Sequence, residues 1–317
     1  SQQPEYPKSI ASRRRFFTLA GIVVLAFLLR VDGLSLVHFN IDEGTAAAVA
    51  SQIGTFRRLP LTGIETSFGF HNPPTFLYLL APFFALSANP LLAQLAIALL
   101  GAVAVFLTAR AGEALTTWRA GFFAAMIVAV CPNAVEHSRR LWGHDLMIFL
   151  SALSLWAALR PYRPGWWKYL ALSFAAAAAA QSIHLSGLVL WLPGIVLIAR
   201  DRPKHWLRAL ATGLAVLILL YLPWLINEVI EGFEQTRHVF RIIFTGGLER
   251  NLGTPVGPLA AWVLLLGDFW RNDLLGTLRP WMISPLAAVM ELAVSLLALA
   301  GMATALIWGF LQVRRAA

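Results

Sequence analysis

The chain has 317 residues, of which 58% are hydrophobic and 13% are charged. Its mean hydropathy of +0.69 excludes an ordinary water-soluble domain, which could not expose so much apolar surface. The net charge of +9 does not indicate nucleic-acid binding, because the Lys and Arg residues cluster in short segments between apolar runs. The single cysteine, Cys131, excludes an intrachain disulfide and a cysteine metal cluster. The composition therefore predicts an all-α polytopic protein of the membrane.

Several apolar stretches approach the roughly 20 residues that a helix needs to cross a bilayer. In chain order they are 16–36, 73–88, 90–109, 118–135, 144–160, 168–183, 185–199, 206–226 and 284–310. The basic residues before the first stretch resemble a signal peptide, but no small-residue cleavage site follows, so we expect a retained first span. About eight to nine transmembrane helices are predicted in total.

The basic segments predict the sidedness of these helices. Residues 160–168 and 200–205 are rich in Arg and Lys, as are both termini, so we expect these regions and both termini to be cytoplasmic. The loop 37–72, the segment 136–145 and the loop 227–283 are then external.

One region conflicts with this topology. Three apolar stretches lie between residues 73 and 135, although both ends of the region must be outside, which requires an even number of crossings. We therefore expect that 73–88 is re-entrant, interfacial or continuous with 90–109.

This topology predicts three parts in the chain. Residues 1–226 form a seven-span membrane module that includes the external loop 37–72. Residues 227–283 form an external loop with interfacial segments. Residues 284–317 form a C-terminal transmembrane helix with a cytoplasmic tail.

The first candidate for chemistry is the pair Asp42-Glu43, immediately outside the first span. Adjacent carboxylates repel each other, so one of them is suited to accept a proton, or both to hold a divalent metal. The structural alternative is that Asp42 caps a helix that begins near Glu43.

Two further polar groups are predicted at the same face. His71-Asn72-Pro73-Pro74 begins the next apolar run and offers a phosphate or metal contact, although two prolines are also an ordinary helix start. The segment 136–145 contains Arg139-Arg140, two arginines on the external side against the usual bias, and arginine suits bidentate phosphate binding. Asp145 follows at the outer end of the next span, as a functional carboxylate or as a helix cap paired with Arg139.

The long loop adds Glu228, Glu231, Glu234, Arg237, His238 and Arg241. Arg237 and Arg241 are spaced by four residues, as on one face of a helix. Most of these charged residues are expected to form a solvated helix face. His184 is expected to be a hydrogen-bonded histidine at the end of its span.

The order of these pieces resembles the C-type glycosyltransferases, in particular the group that contains the protein O-mannosyltransferases and the lipid A aminoarabinose transferases. The resemblance covers about residues 13–230. It consists of a first span that ends in Arg30, then Asp42-Glu43, His71-Asn72-Pro73-Pro74, Ser138-Arg139 and Asp145. In that family an Asp-Glu pair, a His/Lys-Pro-Pro-like element and a second external acidic residue lie on a seven-span module. Asn72 departs from the Pro or Lys expected there.

The resemblance implies a glycosyltransferase of a bacterial-type inner or plasma membrane that acts at the external face. Its donor would be a sugar linked to a polyprenyl phosphate. Asp42 would be the general base or would orient the acceptor, and Glu43 and Asp145 would support it. A divalent cation, where one is used, would be held by Asp42, Asp145 and His71. The donor phosphate would be held by His71, Asn72, Arg139, Arg140, Arg237 and Arg241.

Two other interpretations remain at this point. The chain carries only one predicted span after the long loop, so it is alternatively a catalytically inactive protein of this fold that serves as a subunit of a larger membrane complex. A transporter would need ionisable residues deep within the spans, and the sequence offers few. The expected partners are the lipid-linked sugar, membrane lipids and other membrane subunits, with no nucleic acid.

Overall fold

The computed structural model describes residues 8–37, 39–66, 69–160 and 165–244. These residues are helical, apart from turns, connecting segments and one isolated bridge between Glu65 and His71. The described residues of 1–130 and 134–242 form one compact unit, and residues 131–133 and 243–244 belong to a second. The predicted span 284–310, the cytoplasmic tail and most of the loop 227–283 lie outside the described residues.

The described helices follow the predicted apolar stretches closely. They are α1 (Lys8–Val31), α2 (Ile41–Gly54), α3 (Thr75–Leu86), α4 (Leu91–Leu115), α5 (Trp118–Val130), α6 (Pro132–Glu136), α7 (Asp145–Ala158), α8 (Trp166–Ile183), α9 (Leu192–Asp201), α10 (Trp206–Ile230) and α11 (Glu234–Phe244). Short 3₁₀ helices cover Leu34–Leu36 and Leu185–Trp191.

Among the described residues, three helical segments are long and apolar enough to cross a membrane: Arg13–Leu36, Leu91–Leu115 and Trp206–Ile230. The helices Thr75–Leu86, Trp118–Val130 and Asp145–Ala158 are apolar but shorter. The prediction of an all-α integral membrane protein is confirmed. The count of eight to nine spans stays a prediction.

Contacts at both ends of α1 fix the direction of the first helices. Near its start, the guanidinium of Arg15 lies 5.8 Å from the ring centroid of Trp118, the first residue of α5. Near its end, Arg30 donates to the carbonyl of Ala129 at 3.2 Å. Helices α1 and α5 therefore run parallel.

Helix α4 runs in the opposite direction to both. Near its end, a Cβ added to Gly112 would lie 2.8 Å from the Cα of Gly121 in α5. Near its start, Gln94 donates to the carbonyl of Arg139 at 3.1 Å. Only a residue without a side chain allows the close approach of α4 and α5, as is common between membrane helices.

Helix α7 runs antiparallel to α8, whereas α10 runs parallel to α8. Ser154 of α7 and Ser173 of α8 are hydrogen bonded at 3.1 Å, while the start of α7 lies beside Ile183 at the end of α8. The hydroxyl of Tyr221 in α10 donates to the carbonyl of Gln181 at 3.2 Å. We call the end at which α1, α5, α8 and α10 finish the polar end, and the opposite end, where α5, α8 and α10 begin, the basic end.

Helix α3 bears on the crossing conflict between residues 73 and 135. Its 12 residues rise by about 18 Å, which is less than the roughly 30 Å of hydrocarbon core. Residues 87–90 separate it from α4, so the predicted alternative of one continuous helix with 90–109 is wrong. Because α1 finishes and α4 begins at the polar end, no crossing is required between them.

Candidate active site

The Asp42-Glu43 pair lies in the first turn of α2, and Asn40 caps this helix. The Oδ1 atom of Asn40 accepts hydrogen bonds from the backbone N–H groups of Asp42 at 3.0 Å and Glu43 at 3.1 Å. In return, the Glu43 carboxylate accepts the N–H of Asn40 at 2.8 Å. This is a complete capping box. The alternative that Asp42 caps the helix is therefore wrong, because Asn40 holds that position.

Glu43 also joins α2 to the segment 136–145. Its side chain is fully buried, and Oε1 accepts a hydrogen bond from Nε of Arg140 at 2.7 Å. A second carboxylate, that of Glu136, lies 3.8 Å from Nη1 of Arg140. The charge of Arg140 is therefore balanced by carboxylates of the protein itself. A buried carboxylate requires such a partner, since its desolvation is costly.

Asp42 differs from its neighbour in this respect. Its side chain is partly exposed, and within residues 8–244 no described donor is hydrogen bonded to its carboxylate. Its backbone is held by the capping box, so the position of the carboxylate on the first turn is fixed. Of the three predicted catalytic carboxylates, Asp42, Glu43 and Asp145, only that of Asp42 has no hydrogen-bond partner among the described residues.

Asp145 begins α7, and its carboxylate is enclosed by its own segment. One oxygen accepts the backbone N–H of Trp142 at 2.8 Å, and the other lies 3.1 Å from Nδ1 of His137. The predicted pairing of Asp145 with Arg139 is wrong, because His137 takes that place. The hydrogen bond to Asp145 raises the pKa of His137, although burial of the imidazole opposes this.

Arg139 is held in place by the neighbouring helices. Its backbone carbonyl accepts from Gln94 at 3.1 Å, and its Nη2 donates to the carbonyl of Asp32, just after α1. Its Nε is buried and has no hydrogen-bond partner among the described residues. Arg139 therefore lies at the polar end with donor capacity that the described part of the chain does not use.

A glycine allows this segment to approach α4. A Cβ added to Gly101 would lie 2.6 Å from the Cβ of Ser138 and 2.8 Å from Nε of Arg30. Both Ser138 and Arg30 are fully buried. The side chain of Arg30 donates to the carbonyls of Val128 and Ala129 at the end of α5, so it stabilises a helix terminus at the polar end.

His71 is bound to the helices that follow much later in the chain. Its backbone N–H donates to Oε1 of Gln235 at 2.8 Å, and its ring Nδ1 lies 3.2 Å from Nε2 of the same amide. Its carbonyl accepts from the indole of Trp224 at 3.1 Å. The neighbouring Asn72 pairs through its backbone with Gly63 and Ile64. Sequence patterns gave no signal for Gln235, which lies 164 residues away.

Glu228 corrects one prediction about the long loop. Most charged residues of this loop were expected on a solvated helix face, but the side chain of Glu228 is fully buried. Its carboxylate accepts the backbone N–H of Gln235 at 3.1 Å and that of Thr236 at 2.8 Å, at the N-terminus of α11. A carboxylate is favourable at a helix N-terminus. Arg237 and Arg241, further along α11, are exposed as expected.

Two histidines contact each other beside Asp145. The rings of His144 and His184 lie 4.1 Å apart between centroids, and the indole of Trp142 donates to Nδ1 of His144. Burial lowers the pKa of His144 to about 4, with smaller contributions from His184 and His137. His184 is also bonded to the hydroxyl of Ser186 at 2.7 Å, which confirms the prediction of a hydrogen-bonded histidine.

The structure thus arranges the predicted residues in two adjoining groups at the polar end. The first contains Asp42, Glu43, Arg139, Arg140 and Asp145. The second contains His71 and Asn72 with the start of α11. Between them, a Cβ on Gly143, two residues before Asp145, would lie 3.9 Å from the ring of Phe76 in α3.

The predicted metal ligands are not gathered into one cluster. Within the described residues, no group of three or more His, Cys, Asp or Glu side chains is placed to hold a metal ion. Asp145 is bonded to His137 and Trp142, while His71 is bonded to Gln235. A divalent cation at Asp42, Asp145 and His71 stays a prediction.

Residues 71–226 match the sequence profile of the family described as Dolichyl-phosphate-mannose-protein mannosyltransferase. This segment, just under half of the chain, is similar to that family of C-type glycosyltransferases. The resemblance predicted from the sequence is therefore confirmed, and the family is one of membrane glycosyltransferases that use a polyprenyl-phosphate sugar donor. No curated protein matches the chain significantly.

The matched segment includes His71, Arg139, Arg140 and Asp145 and ends within α10. Asp42 and Glu43 lie before it. The structure links them to the matched segment through the ion pair between Glu43 and Arg140.

Proposed function

We propose that this protein transfers a sugar from a polyprenyl-phosphate donor to an acceptor at the external face of the membrane, with Asp42 as the catalytic base. The observation that carries the proposal is the contrast within the Asp42-Glu43 pair. Glu43 is buried and bonded to Asn40 and Arg140, whereas no described residue is bonded to the partly exposed carboxylate of Asp42. The carboxylate of Glu43 therefore holds the start of α2 in position, and the carboxylate of Asp42 is left for chemistry.

In the proposed reaction, Asp42 takes the proton of the acceptor hydroxyl or amine. The acceptor atom then bonds to the anomeric carbon, and the bond from that carbon to the phosphate oxygen breaks. The electron pair leaves with the phosphate, whose negative charge increases. Donors placed around that phosphate stabilise the developing charge. Arg139 and Arg237 supply such donors in this proposal, since Arg140 is engaged by Glu43.

The distribution of positive charge supports an external site. Exposed Lys and Arg residues mark the basic end, among them Arg13, Arg14, Arg15, Arg119, Lys204 and Arg208. Cytoplasmic ends of membrane helices carry such an excess. With the basic end inside, the polar end with Asp42 and Arg139 faces outward, where a flipped lipid-linked sugar would be used.

The test is sugar transfer by the full-length protein reconstituted in lipid vesicles. A polyprenyl-phosphate mannose is the first donor to use, because the matched family is described by that sugar, with a membrane extract as acceptor. We expect transfer by the native protein and a loss of at least about 100-fold in Asp42→Asn, the scale of general-base catalysis.

The matched control is Asp201→Asn, because Asp201 pairs with Arg200 at the basic end and its loss should leave transfer intact. Equal transfer by the native protein and by Asp42→Asn would overturn the assignment of the base. No transfer from a panel of lipid-linked hexoses and pentoses would instead favour a structural subunit.

A further inference from the structure

Gln235 holds His71 through both ends of one side-chain amide. The carbonyl end accepts the backbone N–H of His71 at 2.8 Å, and the amino end lies 3.2 Å from the ring Nδ1. A backbone N–H is only a donor, so it must face Oε1 of the amide. The amino group of the amide then faces Nδ1, which must accept.

This arrangement determines where the imidazole carries its proton. A proton on Nδ1 would point at the amide N–H, and two donors would oppose each other. The ring proton therefore lies on Nε2. No described residue is hydrogen bonded to Nε2, and the side chain is partly exposed, so this N–H is available to a ligand.

We propose that Gln235 is a positioning residue that fixes the Nε2–H tautomer of His71, so that His71 donates a hydrogen bond to the phosphate of the lipid-linked donor and does not ligate a metal. The phosphate part rests on the proposed function. An imidazole nitrogen that carries a proton has no lone pair for a cation, but it can donate to an anionic oxygen. The geometry thus separates the two roles that the sequence left open for His71.

The position of Gln235 is itself fixed by the fold. Its backbone N–H donates to the buried carboxylate of Glu228 at 3.1 Å, and the carbonyl of His71 accepts from Trp224 at 3.1 Å. Both partners belong to α10. Helix α10 therefore fixes both the start of α11 and His71.

The first measurement is an NMR spectrum that correlates the ring nitrogens of isotope-labelled histidines with their carbon-bound protons, with His71 assigned by comparison with His71→Asn. We expect Nδ1 to carry the lone pair in the native protein. In Gln235→Glu, both carboxylate oxygens accept, so the proton should move to Nδ1 or both nitrogens should be protonated. The control Glu234→Gln changes the charge of the adjacent exposed residue and should leave His71 unchanged. A native Nδ1–H tautomer, or an unaltered tautomer in Gln235→Glu, would overturn the proposal.

The second measurement adds farnesyl phosphate or inorganic phosphate to the labelled protein in separate titrations. A shift of the His71 Nε2 signal that is larger with farnesyl phosphate at equal concentration supports a lipid phosphate. An equal or larger effect of inorganic phosphate, or no shift with either, contradicts it.

In the transfer assay, Gln235→Glu should raise KM for the donor by roughly tenfold, the value of one hydrogen bond to a charged group, with a smaller change in kcat. The NMR result for His71 does not depend on sugar transfer. If Asp42→Asn were still active, the proposed base would be wrong, but the tautomer of His71 would be unaffected.

Discussion

Arg140 and Glu43 lie 97 residues apart in the chain, yet Nε of Arg140 is 2.7 Å from Oε1 of Glu43. The pair joins the first turn of α2 to the connection between α5 and α7. Since the same carboxylate completes the capping box of α2, one buried charge determines both where α2 begins and where it is attached. The position of Asp42 follows from that attachment.

Loss of this ion pair should destabilise the fold. Arg140→Ala leaves the fully buried Glu43 without its cation, and breaking a buried pair in this way costs about 3 kcal/mol. The measurement is thermal or denaturant unfolding of the purified protein in detergent. Arg119→Ala, at an exposed position of the basic end, is the control and should be nearly neutral. Similar small effects of both variants would show that the pair contributes little.

Gly101→Ala should displace the segment that contains Arg139. The added methyl group would lie within 3 Å of Ser138 and Arg30, so the buried residues must move, at a cost of about 1–3 kcal/mol. We expect lower stability together with weaker donor binding. The matched control is Gly21→Ala in α1, where a Cβ meets no atom within 4 Å. If Gly21→Ala were as harmful as Gly101→Ala, close packing at Ser138 would not be the cause.

The stability of the folded protein should depend on pH through His144. Its pKa is about 4 in the folded state against 6.5 for the unperturbed side chain, so the unfolded chain binds an additional proton between these values. Stability should therefore fall as the pH is lowered from about 6.5 to about 4, and this slope should disappear in His144→Gln. Unfolding curves over this pH range test the prediction. His205→Asn, at an exposed position with positive φ at the start of α10, should keep the native slope.

Glu228→Gln should loosen the start of α11. A Gln side chain keeps one acceptor oxygen but turns an amino group toward the N–H of Thr236, which leaves a backbone donor unsatisfied at a cost of about 1–3 kcal/mol. We expect faster proteolysis and faster amide exchange around residues 231–237. Glu231→Gln at the neighbouring exposed position is the control. Native exchange rates in Glu228→Gln would contradict a role for this carboxylate in holding α11.

The sequence predicted the helices well because their length and apolarity are local properties. The stretch 168–183 and the helix Trp166–Ile183 differ by two residues at one end. The sequence left open whether 73–88 is continuous with 90–109, because the connection at residues 87–90 is too short to interrupt the apolar pattern clearly. Asn40 carried a usable signal, since Asn followed three residues later by Glu is a helix-start signature.

The partners of the site residues depend on tertiary structure and were therefore harder to predict from the sequence. Asp145 could be recognised as important, but its pairing with His137 follows from the turn between α6 and α7. Glu228 and Glu231 look alike in the sequence as charged residues at the end of a span, and one is buried while the other is exposed. Only the return of α11 toward His71 distinguishes them.

The buried guanidinium of Arg30 bears on how the protein is assembled in the membrane. Its acceptors on Val128 and Ala129 are made 98 and 99 residues later, so α1 is synthesised long before its charge can be satisfied by α5. Until then the side chain must extend to water, which its position near the end of α1 allows. We infer that α1 takes its final position only after α5 has been inserted. The packing of these two helices therefore depends on the order in which they are synthesised.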